Sequence, residues 1–324
     1  MNSIRLLLFS IFLLKSFSAN CWGFYGHQRI NYFSVFLLPP EMLVLYKPNI
    51  SFLEEHAVDP DKRRYAVVEE APRHYIDMDT YGIFPFTVLP RKWKDAVEKY
   101  GEDLLNRHGI VPWHIQIMLN RLTHAFTEKN FSLIMKYSAE IGHYIADAHV
   151  PLHTSSNHNG QLTNQKGIHG FWESRIPELL AEKEFDFFIG KAAYIKNPLG
   201  YTWERILESS LEADSVLSFE KILTQQFSAD QKYSFESKGP VVTKQYSTAF
   251  TIAYNNSLQN MAERRMRQSI FSVASFWYTA WVNAGQPDLK ELSKQQFSVN
   301  EKAEFEKLDN EWHNSPKMIG RSEE

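Results

Sequence analysis

His143-Tyr144-Ile145-Ala146-Asp147-Ala148-His149-Val150-Pro151-Leu152-His153, followed by His169-Gly170-Phe171-Trp172-Glu173, decides how this chain is read. His143 and Asp147 stand four residues apart, so on a helix both side chains leave the same face. His153 lies just past Pro151, where a helix is expected to end. His169 and Glu173 repeat the four-residue spacing. A lone helical histidine is ordinarily a hydrogen-bonded core or surface residue, and we read His124, His149 and His158 in that way. Two His-x-x-x-carboxylate pairs with a third histidine between them point instead to a metal site. Imidazoles and carboxylates are ligand types that hold zinc.

Around this stretch the apolar spacing is helical nearly throughout. Trp113 to Phe126 carries Trp113, Ile117, Leu119, Leu122 and Phe126, close to a three-four repeat. Phe131 to Val150 repeats it through Leu133, Ile134, Tyr137, Ile141 and Ile145. Further helices are expected at 171–181, 203–217 and 259–284, with no competing run of alternating strands. Irregular segments are expected at 39–81, 81–90 and 155–167, and the last would fold the second His-carboxylate pair back onto the first. Past Gln286-Pro287 the chain turns polar, so 287–324 reads as a surface helix and a loose tail. No internal repeat is evident.

The 324 residues, 44% hydrophobic and 14% aromatic, suffice for a large buried core. A net charge of -3 argues against a nucleic-acid binder that relies on bulk positive charge. It does not argue against an enzyme whose metals supply positive charge locally. Arg5, the apolar run from Leu6 to Leu14 and the small, polar tail from Ser16 to Cys21 read as a secretory signal. Ala19 and Cys21 fit the −3 and −1 positions of a cleavage site that would make Trp22 the mature N-terminus; lipidation of Cys21 is the rival reading. The protein is therefore expected to be secreted or periplasmic. Cys21 is the only cysteine, so a mature chain starting at Trp22 has neither disulfides nor thiolate ligands, and any zinc must be held by nitrogen and oxygen.

Three more features join the cluster. Trp22-Gly23-Phe24-Tyr25-Gly26-His27 would open the mature chain, where a free α-amino group and its own carbonyl can chelate a metal that His27 completes. Asp59 or Asp61 precedes His74 by 15 or 13 residues, across Arg63-Arg64-Tyr65. His74 then begins His74-Tyr75-Ile76-Asp77. In this order and combination, from Trp22 to Ala284, the chain resembles the zinc-dependent superfamily of mung-bean-type single-strand nucleases and bacterial phospholipases C.

The resemblance implies an all-α, single compact multi-helix domain at 22–286 with three zinc ions in a cleft. Trp22 and His27 would hold one zinc; Asp59, His74 and His143 a second; and Asp147 would bridge the two. His153, His169 and Glu173 would hold the remaining ion. Asp59 is preferred to Asp61 because the nuclease branch spaces this pair by 15. Such zinc ions lower the pKa of a bound water toward neutrality and stabilise charge on a phosphate, with Asp59 expected to orient or deprotonate the nucleophile.

Single-stranded nucleic acid and phospholipid are both implied as substrates, for a monomer without an obligate protein partner. The Trp-Gly-x-x-Gly-His start, the Asp-to-His spacing and His-aromatic-Ile-Asp are nuclease-like, and Tyr75 would stack a base. Arg63 is the flanking cation expected to contact substrate. Glu173 in place of aspartate and the 16-residue gap from His153 to His169 are phospholipase-like. On balance the sequence leans to a nuclease-like phosphodiesterase.

Overall fold

A computed structural model describes residues 23–238, 241–315 and 317–321. The chain is mostly helical, with one two-stranded hairpin among the described residues. Five helices place the site: α1 (Gly23–Val35), the one-turn α2 (Asp59–Arg63), α3 (Val111–Thr127), α4 (Phe131–Asp147) and, behind them, α5 (Pro198–Thr224). A long α6 (Met261–Asn283) backs the core and α7 (Val299–Asn314) lies on the surface.

Helix α4 is the centre. Asn130 caps its first turn by accepting a hydrogen bond from the Leu133 amide at 3.1 Å. From Ser138 to Asp147 every residue is buried, which is the pattern of a helix enclosed on all sides. Helices α1, α3 and α6 pack around it. Trp277 of α6 is fully buried and donates to the Ser138 carbonyl at 2.9 Å. Truncation of such a side chain to alanine costs about 3–5 kcal/mol. Asn31 of α1 donates to the Leu53 and Ala139 carbonyls at 3.0 Å, and the bare Cα of Gly142 admits it. After Asp147 the chain leaves the helix, Val150 is extended before Pro151, and a 3₁₀ turn at Pro151–Thr154 brings His153 back.

Several expectations are corrected. In α3 Met118, not Ile117, faces the core, and Ile117 is exposed. The segment 39–81 is not irregular: it holds helices at Pro40–Tyr46 and Ile50–Glu55 besides α2. Residues 171–175 form a π-helical turn before the helix Ile176–Glu184. Strands β1 (Tyr233–Lys238) and β2 (Val241–Tyr246) pair antiparallel, Tyr233 opposite Tyr246 and Lys238 opposite Val241. Tyr246 stacks on Phe171 at 3.7 Å and Glu236 pairs with Arg175 at 2.6 Å, so the hairpin clamps the π turn from both ends.

The described residues of 287–321 are not a loose tail either. Leu289 and Leu292 are buried with the core. Helix α7 starts on a capping box of Ser298 and Glu301 and lies on α2, where Lys62 donates to Asp309 at 2.6 Å. Beyond it, Ile319 donates its amide to the Arg64 carbonyl at 2.7 Å.

Candidate metal centre

Three buried groups of donor atoms converge where α1, α2 and α4 meet. They are His27, Asp61 and His143; His74, His143 and Asp147; and His153, His169 and Glu173. All eight residues are at most 2% exposed. Helical spacing sets His143 four residues before Asp147, and the Nε2 of His143 lies 3.3 Å from Asp147 Oδ2. The π turn does the same for His169 and Glu173, with Nε2 2.8 Å from Oε2. Asn159 holds that turn by accepting from the amides of Gly167 and His169.

Backbone carbonyls select the tautomers. The Ala57 carbonyl accepts from Nδ1 of His143 at 2.8 Å, and the His74 carbonyl accepts from Nδ1 of His153 at 2.7 Å. In each ring the Nε2 then carries a lone pair. Other polar atoms crowd around that lone pair: His143 Nε2 lies 3.0 Å from His74 Nδ1 and 3.6 Å from Asp61 Oδ1, and His153 Nε2 lies 3.1 Å from His169 Nε2 and 3.6 Å from Glu173 Oε2. Carboxylates and ring lone pairs gathered out of water need a cation among them, a proton or a metal ion. His27 adds to the demand: its ring stacks on His143 at 3.8 Å, and neither ring nitrogen has a hydrogen-bond partner among the described residues. The donor set fits divalent cations.

Asp147 is the hub. Its Oδ2 lies 3.0 Å from His74 Nδ1, while Oδ1 lies 3.5 Å from His27 Nε2 and 3.6 Å from His153 Nδ1. Burial disfavours the charged carboxylate, but the imidazoles packed around it outweigh burial and hold its pKa well below the usual range. Burial alone would lower His74; the carboxylates of Asp147 and Glu70 overcome it and raise the ring to about 9. Burial and the neighbouring His27 push His143 down to about 3, so it is a neutral ligand. Without metal the cluster keeps a proton on His74 between two carboxylates, and a metal ion would displace it.

The structure brings His27, His74, His143, Asp147, His153, His169 and Glu173 together as expected, and His153, His169 and Glu173 form one group. Asp59 is not among them. Its Oδ2 meets Nδ1 of His56 at 2.7 Å and its Oδ1 lies 3.3 Å from Lys62 Nζ, and the carboxylate in the cluster is Asp61, the alternative at 13 residues from His74. Arg63 is engaged within the fold: its guanidinium meets Glu140 at 2.7 Å, Tyr144 Oη at 3.1 Å and Glu70 at 3.2 Å. Tyr75 is only 7% exposed, because the guanidinium of Arg321 lies 4.1 Å from its ring centroid. Trp22 and the segment 1–21 lie outside the described residues. His149 and His124 join none of the groups; His149 is a core residue that hydrogen-bonds the Ile145 carbonyl and Ser272.

Glu70 was not among the expected site residues. It is fully buried, accepts from the Tyr144 hydroxyl, Arg63 and Arg73, and sets Oε1 3.5 Å from His74 Nε2. A carboxylate behind a histidine fixes the ring's orientation and raises its basicity as a ligand. Its signal was present, since Glu70 precedes His74 by one helical turn.

No protein-family model matches this sequence, and no curated protein matches it.

Proposed function

We infer that this chain is an exported zinc-dependent phosphodiesterase, with single-stranded nucleic acid as its first substrate class. One observation carries the proposal: three buried groups of imidazole and carboxylate donors adjoin, and one carboxylate, Asp147, lies between them. Exclusively nitrogen and oxygen donors, rich in imidazole, suit zinc. His27, Asp61, His74, His143 and Asp147 would hold two ions and His153, His169 and Glu173 a third, in keeping with the resemblance to the nuclease and phospholipase C superfamily.

Bound zinc supplies hydroxide at neutral pH and positive charge for a phosphate. The chain's own residues do the rest. The Ala57 and His74 carbonyls fix two imidazoles in the ligating tautomer. Asp61, buried with Oδ1 near the His143 and His74 nitrogens, would take the role first expected of Asp59, orienting the nucleophile or accepting its proton.

A second reading, phospholipase C, is favoured by Glu173, a glutamate in the third group. A panel of single-stranded DNA, RNA, nucleotide 3′-phosphates and phosphatidylcholine, run with and without chelator on protein beginning at Trp22, separates the two. Release of nucleotides that chelator abolishes is the expected result. Hydrolysis of phosphatidylcholine alone overturns the nucleic-acid assignment, and inactivity on the whole panel overturns the phosphodiesterase.

A further inference from the structure

The last described residues, 317–321, are pinned to residues that stand within three positions of Asp61, His74 and His153 in the sequence. The Ile319 amide donates to the Arg64 carbonyl at 2.7 Å, and Arg64 Nη2 donates back to the Arg321 carbonyl at 2.7 Å. Arg64 stands three residues after Asp61, and its Nη1 lies 3.8 Å from the Asp61 carboxylate. Arg321 Nη1 pairs with Asp77 at 2.6 Å, and its Nη2 donates to the Ser155 carbonyl at 2.9 Å, two residues beyond His153. The guanidinium carbon lies over the ring of Tyr75, next to His74, 4.1 Å from its centroid, a cation–π contact.

This seat is specific in shape. Gly320 has φ +94°, a backbone conformation open to glycine, and a Cβ there would come within 2.6 Å of the Ala71 Cβ. The ion pair with Asp77 is nearly buried, both side chains being about one-tenth exposed. Asp77 also has His108 Nδ1 at 3.4 Å, and Arg321 is the stronger of these two partners by distance.

We propose that Arg321 is a specificity-determining residue: it occupies the face of Tyr75, so a substrate that stacks a base there must displace it, whereas a phosphodiester without bases need not. A guanidinium is planar and carries N–H donors on its edge, so it competes with a nucleobase for both the aromatic face and the acceptors of Asp77 and Ser155. The inference rests on the nucleic-acid reading above and adds what controls access to it.

The test uses the full mature chain and two variants, Arg321→Ala, which empties the seat, and Gly320→Val, which dislodges the segment but keeps the arginine. Two fluorescein-labelled single strands of equal length serve as probes, oligothymidylate and its abasic counterpart. With zinc, both variants cleave oligothymidylate with kcat/KM raised about tenfold, roughly the size of one base stacked on an aromatic ring, and the abasic strand within twofold of the parent. In chelator, fluorescence anisotropy reads binding alone, and both variants tighten the Kd for oligothymidylate, not for the abasic strand, by the same factor. An unchanged ratio between the two strands in both variants overturns the role of Arg321, as does equal gain on both strands. Absence of cleavage by every form, with the binding preference still moved, would sink the phosphodiesterase and leave Arg321 standing.

Discussion

Asp59 and Asp61 make opposite predictions that one pair of variants can separate. Asp61→Asn removes a carboxylate that contributes to the group of His27 and His143, leaving two imidazoles there. Asp59→Asn removes the partner of His56 and Lys62 and touches none of the three groups. With free zinc at about 100 times its Kd, one site stabilises the fold by about 2.7 kcal/mol. Losing it lowers Tm by about 5–10 °C, at about 2–4 °C per kcal/mol for a large domain. That loss vanishes in chelator, where the parent holds no zinc either. Asp59→Asn loses hydrogen bonds to a charged group, about 1.5–3 kcal/mol, in zinc and in chelator alike. Zinc per chain by atomic emission, with melting curves in both media, reads the difference. Asp61→Asn is expected to bind one ion fewer and Asp59→Asn a full complement. If Asp59→Asn loses zinc while Asp61→Asn keeps it, the assignment of ligands around α2 is wrong.

Three further outcomes follow from other contacts. Glu70→Gln weakens the partner of His74 and should lower zinc affinity about 10–100-fold by chelator competition, with the fold retained by circular dichroism. Burial and, after it, the charge of Arg73 depress His114 to about 3, below its unfolded value. The unfolded chain therefore takes up a proton that the native chain refuses. The stability this gives is full above about pH 6.5 and is lost as pH falls from there toward 3, by up to about 1.4 kcal/mol per pH unit. Denaturant titrations at pH 7, 6 and 5 should show a shallower fall for His114→Gln than for the parent, and equal slopes would refute this. Gly142→Ala would place a Cβ 2.0 Å from Asn31 Oδ1 and should destabilise by about 1–3 kcal/mol, read from the denaturation midpoint.

Local spacing made most of the metal centre legible. His143 with Asp147, and His169 with Glu173, needed only a turn of helix to meet, and Pro151 marked where the chain would turn back. The choice between Asp59 and Asp61 was not local. Two residues apart on a one-turn helix they point to opposite sides, and the packing of α2 under α7 decides which side faces the cluster. Arg321 could not be placed from its neighbours, since its partners Asp77, Ser155 and Tyr75 are distant in sequence and its segment has no apolar period. The hairpin too has a signal in the sequence, β-branched and aromatic residues on both sides of a Gly-Pro dipeptide at 239–240.

Two hydrogen bonds tie the second candidate metal group to the third. His153, a donor of one group, is oriented by the backbone carbonyl of His74, a donor of another, and the Ile76 amide returns the contact to the His153 carbonyl at 2.9 Å. Ordering either histidine therefore orders the other, and by linkage the coupling runs equally in both directions. Zinc should load these two groups cooperatively, with intermediate occupancies scarce, so that the protein passes from empty to filled over a narrower range of free zinc than independent ions would give.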